Sequence, residues 1–355
     1  MMEGMIDWPL AQRLAGYVAG RPETDPLSED LGELSLDSAE RVIAYTGLTP
    51  QREIPVAEPV GREEWIRANV ASMSALLDPA LKSVTARVSK PAKPAMELAT
   101  GVVMTAEVGV MLGFLAQRVL GQFELVLLDT TPADRPPRLL YVEPNLARAV
   151  RAFRADEREF LHWVALHEVT HAVQFSGVPW LQPHMAGMVR ELLDSAQLKI
   201  DARRALRLPR TDDLKRLVDA VRTGELVTLV ASPEEKATID QMQATMAVIE
   251  GHAEHVMDAV GTPLLPGLPR LREALDSRRR SQSAPARLMM KLLGMEMKMR
   301  QYQQGKVFVD TVVREGGIET FNRVWSSPSM LPTLAEIEDP RAWIRRTDVP
   351  PALTA

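Results

Sequence analysis

Residues 161–176 read LHWVALHEVTHAVQFS, and the chain is best understood outward from them. Inside this stretch His167-Glu168-Val169-Thr170-His171 has the pattern H-E-x-x-H. On a helix, residues four apart share a face, so the two imidazoles point at one place and can hold one metal ion. Glu168 stands on the flank of that pair, where a carboxylate reaches water beside a metal. The surroundings suit a helix. Phe160, Trp163, Val164, Val169 and Val173 make it mostly apolar, and Gly177 followed by Pro179 ends it.

Composition narrows what such a site can be. With 46% hydrophobic and 25% charged residues, the 355-residue chain has the make-up of an ordinary globular protein with a sizeable core. It has no cysteine, which excludes disulfides, thiolate metal sites and cysteine nucleophiles. Any metal must be held by histidines and carboxylates, and zinc is the expected ion. A net charge of -5 argues against general nucleic-acid binding. Nine Lys/Arg against three acids between Arg270 and Arg300 read as a solvated flank rather than a nucleic-acid patch. The start, MMEGMIDWPL, has no basic end followed by a long apolar run, so a cytoplasmic location is expected. Leu98–Ala116 is apolar enough to raise the question of a membrane span. Glu107 in its middle makes that costly, and Gly101, Gly109 and Gly113 suit close packing in a core instead.

The expected fold is mainly α, with a small β element ahead of the metal helix. Residues 5–19 predict a first helix with Asp7 as its N-cap and Pro9 in its first turn. Arg62–Leu77 predicts another, and residues 50–61, with three prolines, predict extended or irregular chain. FELVLLD at 123–129 and RLLYV at 138–142 predict a hairpin or sheet edge. Helices follow over 145–155, 156–175, 185–198 and 214–221. Pro233-Glu234-Glu235 starts a strong helix that the pattern carries to Gly261, and a Met-rich helix is expected over 286–302. The whole is read as one domain, with a possible division into 1–177 and 178–355.

A hydrolytic zinc site needs three protein ligands and one open position. The segment TMAVIEGHAEHVMDAVG at 245–261 offers the third, since Glu250 and Glu254 are four apart on one helical face among apolar or small neighbours. A carboxylate in such a setting calls for a cation. His252 and His255 are rivals for the ligand role. His184, thirteen residues past His171, does not fit a third-histidine spacing, and His162 is off the face of His167. Tyr302, His255 and Arg300 are candidates to stabilise a developing oxyanion, with Glu168 as the general base.

These residues resemble the branch of the zincin superfamily whose third ligand is a glutamate on a later helix. That resemblance implies Glu250 as the metal ligand and Glu254 as the group that orients His167. The spacing of 79 residues from His171 to Glu250 (250 minus 171) is much longer than in thermolysin-like proteases, so their substrate rules do not carry over. More narrowly, the chain resembles a prokaryotic family of zincin-like hydrolases, often called zinc metalloproteases and in some cases associated with biosynthesis of a deazaflavin cofactor. The similarity runs through IDWPLAQRLA, GFLAQRVLGQ, HEVTHAVQF, PWL, VIEGHAEHVMD, RQYQQG and NRVWSSPSMLPTLAEI. It implies zinc-dependent hydrolysis of a peptide or amide bond. A small-molecule amide or ester hydrolase and an inactive zincin-fold scaffold are the alternatives.

Overall fold

The computed structural model describes residues 5–21, 26–87, 94–124, 136–199, 232–280 and 295–348. The expected helix at 214–221 and most of the Met-rich segment lie outside them. The protein is mainly helical, with one three-stranded sheet among the described residues. It packs as two compact units that interleave along the chain. One comprises Met1–Ser38, Pro55–Val169 and Leu193–Arg207, the other Ala39–Ile54, Thr170–Leu192 and Leu208–Ala355.

In the first unit, α1 (Trp8–Ala19) begins as expected. Asp7 accepts a hydrogen bond from the Leu10 amide, and proline occupies the first turn. The chain goes on through α2 (Leu31–Thr46), and the helix packed against α1 is α4 (Pro94–Ala116). A Cβ on Gly109 would come within 2.8 Å of the Ala11 carbonyl oxygen, and one on Gly113 within 2.6 Å of that of Ala15. The two glycines therefore let the helix backbones touch, which is the core role read from the sequence. No helix among the described residues is long and apolar enough to cross a membrane. The helix α3 (Arg62–Arg87) runs ten residues past the expected end and passes through Pro79, which costs one helical hydrogen bond rather than the helix.

The sheet has the order β1-β3-β2, with β1 (Ala57–Val60) parallel to β3 (Arg138–Val142) and β2 (Gly121–Glu124) antiparallel to it. The expected pairing is present for Phe123 and Glu124, opposite Leu139 and Arg138, and β2 begins two residues earlier than expected; residues 125–129 of the expected strand lie outside the described residues. Pro59 lies in the strand β1, where the sequence had offered only extended or irregular chain; β1 is an edge strand, and an edge tolerates proline. Central β3 is covered on both faces, with Leu139, Leu140, Tyr141 and Val142 all buried. Its apolar residues run consecutively for that reason. The chain then enters α5 (Glu143–Phe153), which a left-handed Arg154 closes, and α6 (Glu157–Gly177), the helix quoted at the outset.

The second unit is built on α8 (Pro233–Leu264) and α10 (Met295–Asn322), preceded by α7 (Leu181–Lys199). The start of α8 is fixed by a capping box in which the Ser232 hydroxyl and the Glu235 carboxylate serve each other's backbone amides. The helix continues three residues beyond Gly261, through Pro263. Where α8 crosses α10, a Cβ on Gly251 would collide with the backbone of Gly305, and one on Gly305 with the Ala247 carbonyl. Backbone therefore meets backbone next to Glu250. A short α9 (Leu268–Arg280) intervenes in the chain, and α11 (Leu334–Glu338) and α12 (Pro340–Asp348) close it. Trp343 and Phe308 are buried edge to face there.

Candidate metal centre

Helix α6 supplies the two histidines. It is a single helix, so His167 and His171 stand one turn apart on one side. Glu250 comes from α8. Its carboxylate lies 3.7 Å from His171 Nε2. One ligand atom from each of His167, His171 and Glu250 lies within 4.8 Å of the other two. All three residues are partly buried. Two ligands about 2.0–2.1 Å from a tetrahedral ion sit roughly 3.3 Å from each other, so the His171–Glu250 separation has the right scale. Two imidazoles and a carboxylate, in a chain without cysteine, are the donor set of a catalytic rather than a thiolate structural zinc site. The residues present fit a divalent ion.

Glu168, next to His167 on α6, is buried. Its carboxylate accepts a hydrogen bond from the Phe123 amide at 3.1 Å. The ladder of β2 with β3 includes the bond from the Val142 amide to the Leu120 carbonyl, so Phe123, an odd number of residues on, turns its own N–H to the outer edge. Gly121 makes the space: a Cβ there would lie 2.6 Å from Glu168 Cγ. Neither residue was singled out in the sequence, although a glycine at the mouth of a strand often marks such a close approach. Burial raises the ionisation of Tyr141, in the neighbouring strand β3, and the charge of Glu168 adds to that, while the Ser35 hydroxyl bonded to it at 2.9 Å acts the other way.

Behind His171 lies a buried polar chain. His171 Nδ1 is 2.9 Å from Gln174 Oε1. Gln174 Nε2 donates to the Ile249 carbonyl at 2.9 Å and lies 2.8 Å from His252 Nδ1. Gln174 and His252 are fully buried, and His252 stacks on Phe321 with Trp325 at its edge. Burial, and then the neighbouring imidazoles of His255 and His171, push the His252 ionisation down to about 3. His252 is therefore neutral and engaged away from the cluster of three. Gln174 could have been found from sequence, because it follows His171 by three residues and so shares its face.

His255 has both nitrogens engaged, with Tyr45 Oη 2.7 Å from Nε2 and Asp310 2.7 Å from Nδ1. Burial alone would raise the Asp310 carboxyl, but hydrogen bonds from His255 and Lys306 outweigh it and hold it below the usual range. Burial, then the charges of Asp310 and Glu319, push the Tyr45 hydroxyl up. Glu254 sits one turn after Glu250 on α8 and is half-buried. Tyr302 belongs to α10, and its side chain and that of Arg300 lie outside the described residues. His162 is buried with Nε2 3.0 Å from Asp37, and His184 packs edge-on to Trp180; neither joins the cluster.

Comparison with known proteins bears on the same residues. A solved structure from Chloroflexus aurantiacus, provisionally described as a hydrolase with a novel fold, is similar with a TM-score of 0.70 and 29% identity, over 97% of this chain and 99% of that one. No curated protein matches the chain. A family model described as zincin-like metallopeptidase matches residues 6–344, which include both histidines, Glu168 and Glu250. The chain belongs to the zincin-like metallopeptidase family.

Proposed function

We propose that the protein is a zinc-dependent hydrolase that cleaves a peptide or amide bond with activated water. The observation that carries this reading is the gathering of His167, His171 and Glu250, with Glu168 next to His167 on the same helix. Family membership supports a metallohydrolase in general, and the description of the Chloroflexus aurantiacus structure agrees with it. His167 and His171 hold the ion through ring nitrogens and Glu250 through a carboxylate oxygen. When bound, zinc supplies a Lewis acid and brings the ionisation of water near neutrality. Glu168 accepts the proton of the attacking water at its carboxylate and passes it to the leaving amine. The Phe123 amide holds that carboxylate in place between the two transfers. Glu254 orients His167, and Tyr302 and His255 are the candidates to assist the oxyanion.

A peptide is favoured over a smaller amide by the position of β2. It is an edge strand, and Glu168 is bonded to that edge. An extended peptide beside the strand would place its backbone next to the base. The deciding experiment screens peptide and amide substrates with zinc-loaded wild type and Glu168→Gln. Turnover in the wild type, lost in a variant that keeps its zinc, is expected; equal turnover in both removes Glu168 from the chemistry.

A further inference from the structure

We propose that Gln174 is a positioning residue that fixes the tautomer of His171, and that Ile249 and His252 choose the orientation of its amide. The inference rests on the metal-site reading for its purpose, but not for its geometry.

The argument is one of donors and acceptors. The Ile249 carbonyl is an acceptor only, so the Gln174 atom 2.9 Å from it must be the amide nitrogen. The amide oxygen then faces His171 Nδ1 at 2.9 Å, and that nitrogen must carry the proton. The lone pair of His171 is thereby left on Nε2, the atom 3.7 Å from Glu250. The second amide hydrogen points at His252 Nδ1, 2.8 Å away, which must be an acceptor. His252 consequently carries its proton on Nε2, an atom buried with no hydrogen-bond partner. Turning the amide over would set oxygen against oxygen at Ile249, whichever tautomer His171 took. Only one arrangement satisfies the set. A backbone carbonyl one residue before Glu250 thus makes His171 ready to receive a metal through Nε2. Ligating histidines are commonly oriented by a group on their other nitrogen. Here that group is a neutral amide, itself oriented from the helix that brings Glu250.

The test uses the full chain without metal, above the ordinary histidine titration range, with nitrogen-15 NMR of the histidine rings. The expected result is His171 protonated at Nδ1 and His252 at Nε2. The opposite tautomer at either ring overturns the proposal. Gln174→Leu should then give His171 a mixture of tautomers and weaken zinc, measured by chelator competition, by about 10–100-fold. A Gln174→Leu chain that is merely less heat-stable, with unchanged tautomer and zinc affinity, would show the residue to be a packing element and sink the proposal. If that variant does not fold, the wild-type spectrum still decides. A wild type showing both expected tautomers but taking up no zinc would sustain the positioning and overturn the proposed function instead.

Discussion

The Phe123 amide on the outer edge of β2 donates to the Glu168 carboxylate at 3.1 Å, which ties the proposed general base to the sheet. Gly121 allows that approach, and a methyl group in its place would overlap Glu168. Gly121→Ala should therefore displace the base without touching the metal ligands. Displacement by about 1 Å costs roughly 10²-fold in rate. We expect kcat to fall on that order, with zinc stoichiometry unchanged. Undiminished kcat in a folded Gly121→Ala chain would mean that Glu168 does not need this seat.

Glu250 is held at its station by the crossing of α8 and α10, where Gly251 and Gly305 bring the backbones together. Gly305→Ala inserts a methyl where a carbonyl already stands. Overpacking of this kind costs about 1–3 kcal/mol. Thermal or denaturant unfolding should show that loss, and zinc affinity should fall with it as α8 moves. Wild-type stability in the variant would contradict the close crossing.

The histidine behind the site gives a pH dependence with a definite sign. His252 ionises near 6.5 when exposed and at about 3 in the folded chain, because burial and the neighbouring imidazoles disfavour its charge. Between those values the unfolded chain binds a proton that the folded chain does not, so stability falls as pH falls from about 6.5 toward 3. The whole effect is on the order of a few kcal/mol. It should be seen in metal-free protein as a declining denaturation midpoint, and His252→Phe should flatten part of that decline. A His252→Phe chain with an identical acid profile would show that the ring is not held neutral.

Much of this was legible in the amino-acid order, and the exceptions have physical causes. Residues His167, His171 and Glu250 could be named because each helix carries its own local signals: the H-E-x-x-H spacing in α6, and in α8 the Pro233-Glu234-Glu235 start with Glu250 and Glu254 four apart on one face. Their nearness is a finding of the structure; their roles stay with the proposal. The strand β1 was not legible, since Pro59 speaks against a strand unless one knows it lies at an edge. His252 was considered only as a rival ligand, because nothing in its own helix tells that Gln174 of α6 is packed against it. The Gly251–Gly305 crossing joins residues too far apart in the chain for any helical period to link them. Local order shows in sequence; which faces meet does not.

The two ligand helices should not be equivalent in their failure. His171→Ala removes a nitrogen donor whose neighbour Gln174 is left buried with an unmet acceptor, so it should lose zinc and some stability. Glu250→Gln keeps the shape but removes the charge, and should weaken zinc by more than the 10–100-fold, roughly, that outer partners contribute. Calorimetric titration compares the two; a Glu250→Gln chain with wild-type zinc affinity would leave the third ligand unassigned.

The most direct test of the account is zinc K-edge absorption on the loaded wild-type protein, read together with zinc-to-protein stoichiometry. We predict one zinc per chain, bound by nitrogen and oxygen only, with two imidazoles in the scattering and one of them lost in His171→Ala. Zinc that binds equally well without His171, or a spectrum with no imidazole contribution, would contradict the claim that α6 and α8 together hold a single ion.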